Sequence, residues 1–244
     1  MFMIPMNSIY HLSPLILQKI IWIPTRLILK FFVHLEIRGI ENLYQIHQNV
    51  IFASNHSSEL DPILLPASLP FWSRFSPIFY TSRLQSFYKN SGWKQIIYGG
   101  TLFKLWGAHP AYSGLKDYEK SLMNHICLLS EGKNLFIFPE GRITRDGAIQ
   151  HAHGGMAYLA ERCKLSIVPI GISGAYKLSM RDFLMRRRKI ILTFGKPIEQ
   201  SELRREVAQK TTLGEHVYKE EGEYVLGKIG EMVGNKNRAT SGKM

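Results

Sequence analysis

The sequence predicts an α/β domain with a mixed, largely parallel central sheet flanked by helices and preceded by an N-terminal amphipathic helical segment. Three observations carry this expectation. Asn49-Val50-Ile51-Phe52-Ala53, Asn134-Leu135-Phe136-Ile137-Phe138 and the run from Ser166 to Gly174 are short, apolar and partly β-branched, as buried strands are. Stretches with apolar residues every three or four positions alternate with these runs, which is the order of βα units. The first 33 residues are apolar in short clusters, interrupted by basic residues and prolines.

In that first segment, Leu15-Ile16-Leu17, Ile20-Ile21-Trp22-Ile23, Leu27-Ile28-Leu29 and Phe31-Phe32-Val33 are separated by Lys19, Pro24, Arg26 and Lys30. No uncharged stretch reaches the roughly 18 residues of a membrane span. No basic opening and no small-residue cleavage site mark a signal peptide. The pattern predicts two amphipathic pieces around Pro24, with Trp22 and the basic side chains at headgroup level. The expected organisation is therefore an interfacial segment over 1–32, one domain over 33–234 and a disordered basic tail over 235–244.

Between the first two strands and beyond, helical periodicity is clearest from Leu115 to Glu131, with apolar residues at Leu115, Tyr118, Leu122, Ile126 and Leu129 and Gly132 as a stop. Gly154 to Cys163 and Glu202 to Val233 also read as helical, the latter capped by Ser201 and broken near Gly214 and Gly222. With 244 residues and 45% hydrophobic content, the chain is long enough to bury a full core. Cys127 and Cys163 fit no metal spacing and are expected to be buried thiols in a reducing compartment. His151-x-His153 lacks further ligands at metal-binding spacing, so no metal is expected.

Two charged motifs follow strand ends. The first is Asn55-His56-Ser57-Ser58-Glu59-Leu60-Asp61-Pro62, in which Asp61 and Pro62 signal a helix start and place His56 in a strand-to-helix turn. On one continuous helix His56 and Asp61 would point about 140° apart, whereas a loop can bring them together. A carboxylate on one imidazole nitrogen leaves the other free to accept a proton and stabilises the imidazolium that results. The nearest approach to a serine-nucleophile elbow, Gly171-Ile172-Ser173-Gly174-Ala175, fails at its last position. The base should therefore act on a hydroxyl that the substrate brings. The second motif is Phe138-Pro139-Glu140-Gly141-Arg142-Ile143-Thr144, where Gly141 permits a turn and Arg142 offers a planar fork suited to phosphate oxygens.

Together the two motifs resemble the lysophosphatidic-acid acyltransferase family, the first its His-x4-Asp signature and the second its Phe-Pro-Glu-Gly-Thr-Arg-Ser block, with the arginine one place earlier. Val168-Pro169-Ile170 is similar to that family's Val-Pro-Val block. The stretch from Gly99 to Gly114 is similar to its second block, with Ser113 where the family usually has arginine and with Lys104 or Lys116 as alternative positive charges. The resemblance covers roughly residues 33 to 200. It implies His56 as base and Asp61 as its orienting carboxylate. Glu140 and Arg142, with the Gly141 turn and Thr144 at the family's serine position, are implied to hold a glycerol phosphate acceptor.

The expected activity is acyl transfer from a thioester donor, acyl-CoA or acyl carrier protein, to the free hydroxyl of a lysophospholipid, most readily 1-acyl-glycerol-3-phosphate. Another lysolipid acceptor, or an inactive basic membrane-binding protein, is the alternative. No metal or organic cofactor is implied. The excess of Lys and Arg over Asp and Glu, 31 to 19, and the cluster Arg186-Arg187-Arg188-Lys189 suit an anionic membrane surface. Nucleic acid would attract the same charge, but the chain carries no nucleic-acid fold signature and its apolar N-terminal arm argues against that partner. Location at the cytoplasmic face of a membrane, peripheral or monotopic, follows from the resemblance and the arm.

Overall fold

A computed structural model of the protein describes residues 8–82, 101–112, 115, 117–208 and 217–234. It holds a seven-stranded sheet in the order β1-β7-β6-β2-β5-β3-β4. The strands are β1 (Glu36–Arg38), β2 (Ile51–Ser54), β3 (Ile78–Ser82), β4 (Ala108–Pro110), β5 (Asn134–Ile137), β6 (Ile167–Ser173) and β7 (Ile191–Phe194). All neighbours are parallel except β6 and β7, so the sheet is mixed and largely parallel.

The helices are α1 (Ser8–Val33), α2 (Asp61–Ser68), α3 (Thr101–Leu105), α4 (Tyr118–Ser121), α5 (Met123–Ser130), α6 (Gly155–Cys163), α7 (Met180–Leu184), α8 (Gln200–Ala208) and α9 (Val217–Val233). Side chains alternate between the two faces of the sheet, and both faces are buried, which is why the strands read as continuous apolar runs. Val50, Phe52 and Phe136 pack with Leu29 and Val33 of α1 and Leu64 and Leu65 of α2. Ile51, Ala53, Leu135 and Ile137 pack with α5, α6, α8 and α9 on the other face. The last helix lies directly on the sheet: a Cβ at Gly171 would come within 2.9 Å of Met232 Cβ.

Several expectations are revised. The N-terminal segment is one helix that runs through Pro14 and Pro24, not a pair around Pro24. It is held to the domain on both sides of Pro24, with Trp22 Nε1 donating to Leu69 O (3.0 Å) and Arg26 Nη1 to Ala67 O (2.7 Å). Those two side chains thus face protein rather than headgroups. Gln18 bridges the helix to the sheet edge, donating to Ile78 O (2.8 Å) and accepting from Ile78 N (2.9 Å). The opposite side of α1 is uncovered: Leu12, Ile16, Ile20, Ile23, Leu27 and Phe31 are all exposed and follow one another at helical spacing.

Asp61 is the first residue of α2 rather than its cap, with Pro62 second. The stretch from Leu115 divides at Leu122 into α4 and α5. Ser201 lies inside α8, and Gly222 lies inside α9 because its bare Cα meets Ala152 and His153. Gly214, Ser113, Lys116 and the expected tail at 235–244 fall outside the described residues. Cys127 and Cys163 are free and half-buried. Among the described residues no helix is long and apolar enough to cross a membrane, and no group of metal-ligating side chains forms.

Candidate active site

The site lies at the carboxyl ends of the central strands, where adjacent loops of an open α/β sheet converge. β2 pairs with β5 on one side and β6 on the other, so the chain segments that leave these strands are neighbours. Asn55 fixes the first step beyond β2. Its side-chain amide donates to Ile172 O and its carbonyl oxygen accepts from Ile172 N, both at 2.9 Å, extending the β2–β6 ladder by one side-chain rung.

The loop then wraps around Asp61. This carboxylate is completely buried, and its Oδ2 accepts from Ser57 N (2.7 Å), Ser58 N (2.8 Å) and His56 Nδ1 (2.9 Å). The backbone donors orient the carboxylate before the imidazole reaches it. The proton on Nδ1 leaves Nε2 with a free lone pair. Phe138 fixes the ring plane, stacking on His56 with centroids 3.8 Å apart and planes 11° from parallel. The imidazole retains 15% of its side-chain exposure, so it is open at one edge.

The second motif supports the first from below. Glu140 is 2% exposed, and its two oxygens accept from His56 N (2.8 Å) and Gln150 N (2.7 Å). Burial pushes its carboxyl above the usual range, and the two backbone donors pull in the opposite direction. Thr144 N donates to His56 O at 2.8 Å, completing a two-sided clamp on the His56 backbone. The Thr144 hydroxyl is engaged inside its own loop, with Ala148 O at 2.7 Å and Asp146 Oδ1 at 2.9 Å. Gly141 turns the chain at φ 66°, a conformation other residues resist, and a Cβ there would press to 3.0 Å from the His153 ring. Beyond that turn Arg142 is exposed, without an ion-pair partner among the described residues.

The structure thus brings His56, Asp61, Glu140 and Thr144 into one hydrogen-bonded unit, with Gly141 and Arg142 on its solvent side. Phe138, Asn55 and Gln150 belong to the same unit. Asn55 and Phe138 open the two motifs in sequence, but only the fold reveals their contacts. Lys104 is elsewhere: it lies on α3, which leads into the amino end of β4, whereas His56 is at the carboxyl rim.

Replacing Glu140 by glutamine tests the clamp. An amide presents a donor where two backbone N–H groups need acceptors, so one buried pair is lost at about 1–3 kcal/mol. We expect a lower unfolding midpoint in urea together with a turnover reduced by roughly tenfold. A raised Michaelis constant for one substrate with normal turnover and stability would instead place Glu140 on that substrate.

This geometry can accept a proton from a hydroxyl at His56 Nε2 and bind an anionic group near Arg142. The family model described as Acyltransferase matches residues 34–173, which contain every residue of this unit. The chain is 26% identical over 175 residues to the chloroplastic 1-acyl-sn-glycerol-3-phosphate acyltransferase LPAT1 of Arabidopsis thaliana, covering 70% of this chain and 45% of that protein. It therefore spans less than half the length of that curated relative. The fold is shared with the 1-acyl-sn-glycerophosphate (LPA) acyltransferase PlsC from Thermotoga maritima, with a TM-score of 0.57 at 17% identity over 93% of this chain and 83% of that one. With the family match spanning more than half its length and the strand-end motifs inside it, the chain belongs to the Acyltransferase family.

Proposed function

We propose that the protein transfers a fatty acyl group from a thioester donor, acyl-CoA or acyl carrier protein, to the free hydroxyl of a lysophospholipid, with 1-acyl-glycerol-3-phosphate as the preferred acceptor. The observation that carries this reading is the oriented His56–Asp61 pair at the strand-end rim, with Arg142 exposed beyond the Gly141 turn and without an ion-pair partner among the described residues. The activities for which the plant and bacterial relatives are named support the choice of acceptor.

In the reaction, His56 Nε2 takes the acceptor's hydroxyl proton as the oxygen attacks the thioester carbonyl. The new C–O bond forms, the C–S bond breaks, and the departing thiolate recovers the proton from the imidazolium. Asp61 stabilises the imidazolium between these steps. Glu140 and Thr144 act through the backbone of His56, and Arg142 binds the acceptor phosphate. The uncovered apolar stripe of α1 supports attachment to a membrane surface, where such an acceptor resides.

Incubation of the purified protein with each thioester donor and a panel of lysolipids tests the reading. Product is expected with lysophosphatidic acid above all others, and its absence with every acceptor would remove the proposal. Arg142→Lys keeps the charge but loses the planar fork. We expect it to raise the Michaelis constant for the acceptor more than for the donor. An effect confined to the donor would reassign Arg142.

A further inference from the structure

The chain between β6 and β7 carries six basic residues and one acidic residue from Lys177 to Lys189. Its short helix α7 is capped by the Ser179 hydroxyl, which accepts from Asp182 N at 3.0 Å. Met180, Leu184 and Met185 of this segment are exposed by 73%, 58% and 52%. Met180 and Leu184 are one helical turn apart and share a face.

Part of the positive charge is satisfied internally. Arg188 pairs with Asp182, Lys189 pairs with Glu36, and Arg186 donates to Phe31 O (2.9 Å) while its guanidinium covers the Phe31 ring. Arg181 and Arg187 are exposed and have no ion-pair partner among the described residues.

Placement gives this patch its meaning. Ser173, the end of β6, pairs with Ile191, the start of β7, so the whole excursion leaves and re-enters the sheet at the rim that carries His56. It is fastened on two sides. Tyr176 Oη donates to Arg145 O (2.6 Å) in the loop after Glu140, and Phe183 stacks on Phe32 at the end of α1 with ring centroids 4.8 Å apart. The patch is therefore fixed relative to the His56 loop and continuous with the exposed Phe31.

We propose that Met180, Leu184 and Met185, with Arg181 and Arg187, form a contact for anionic phospholipid that seats the catalytic rim on the bilayer surface. The apolar side chains enter the headgroup boundary and the guanidinium groups meet phosphodiesters. Nucleic acid would leave the two methionines and the leucine in water. A second copy of the same patch would oppose arginine with arginine. The proposal rests on the lipid-acceptor reading above, since it supplies a route by which an acceptor dissolved in a bilayer meets His56.

Vesicle sedimentation tests it without any need for turnover. The full-length protein is expected to bind vesicles of phosphatidylcholine mixed with phosphatidylglycerol more tightly than vesicles of phosphatidylcholine alone. Arg181→Glu combined with Arg187→Glu should reduce partitioning onto the mixed vesicles by roughly tenfold or more and leave binding to neutral ones unchanged. The neutralising pair Arg181→Gln and Arg187→Gln gives a smaller loss in the same direction, should the reversed pair fail to fold. Met180→Ser with Leu184→Ser should weaken binding to both kinds of vesicle.

Transfer to a short-chain, monomeric acceptor should stay at the wild-type rate in the arginine variants, which separates this proposal from the chemistry. If acyl transfer fails for every acceptor, the binding result still stands on its own. Wild-type binding of folded arginine variants to the mixed vesicles would overturn the proposal. So would a change in oligomeric state of the methionine–leucine variant with vesicle binding unaltered, which would make the patch a self-association surface.

Discussion

Substitution of His56 by alanine is expected to lower turnover by roughly two to four orders of magnitude while leaving the fold intact. The size of the loss is what a positioned general base contributes, together with the imidazolium charge that Asp61 stabilises. The fold should survive because the imidazole is not a structural keystone. Its removal vacates one face of Phe138, but Asp61 Oδ2 still accepts from Ser57 N and Ser58 N, and the His56 backbone remains clamped between Glu140 and Thr144. Steady-state transfer rates alongside thermal unfolding measure both halves. A folded variant with near-normal turnover would eliminate His56 as the base.

Asp61→Asn separates the charge of the carboxylate from its shape. All three hydrogen bonds fall on Oδ2, and Oδ1 is buried without a hydrogen-bond partner. An amide oxygen can therefore keep the loop and the imidazole in place, with the NH2 group where Oδ1 now is. What disappears is the negative charge beside the developing imidazolium. Turnover should fall by roughly two orders of magnitude or more, with the substrate Michaelis constants little changed. Asp61→Ala should cost stability as well, because buried Ser57 N loses its acceptor at about 1–3 kcal/mol. Equal turnover in the asparagine variant and the wild type would mean that Asp61 serves the loop alone.

The parts of this molecule that were legible in the sequence are those in which local pattern and tertiary placement agree. β2, β5 and β6 are buried on both faces, so uninterrupted apolar runs reported them directly. β4 is only Ala-His-Pro, without a pattern of its own, and is a strand because β3 offers an unpaired edge. β1 is equally short and owes its place to β7. Pro24 reads as a break in any local account, yet α1 continues because Trp22 and Arg26 anchor it to the carbonyls at the end of α2.

At the site, motif spacing indicated which residues gather but not how each one works. The occupation of both Glu140 oxygens depends on Gln150, ten positions further on, whose backbone N–H has no sequence signature. Thr144 looks like a ligand-binding hydroxyl in one dimension and is a loop lock in three. Arg142 is the one of these candidates whose side chain is exposed and without an ion-pair partner among the described residues, which is why the proposed headgroup contact is assigned to it.

A rapid-quench experiment with a labelled acyl thioester tests most directly whether the acyl group passes to the acceptor without an acyl-protein intermediate. With donor alone, no label should accumulate on the protein. With lysophospholipid added, labelled diacyl product should form with no acyl-protein species preceding it, and both observations should hold at protein concentrations comparable to the donor. A stoichiometric burst of protein-bound acyl label before acceptor is added would contradict the account, because it would require a nucleophile on the chain and give His56 a different partner.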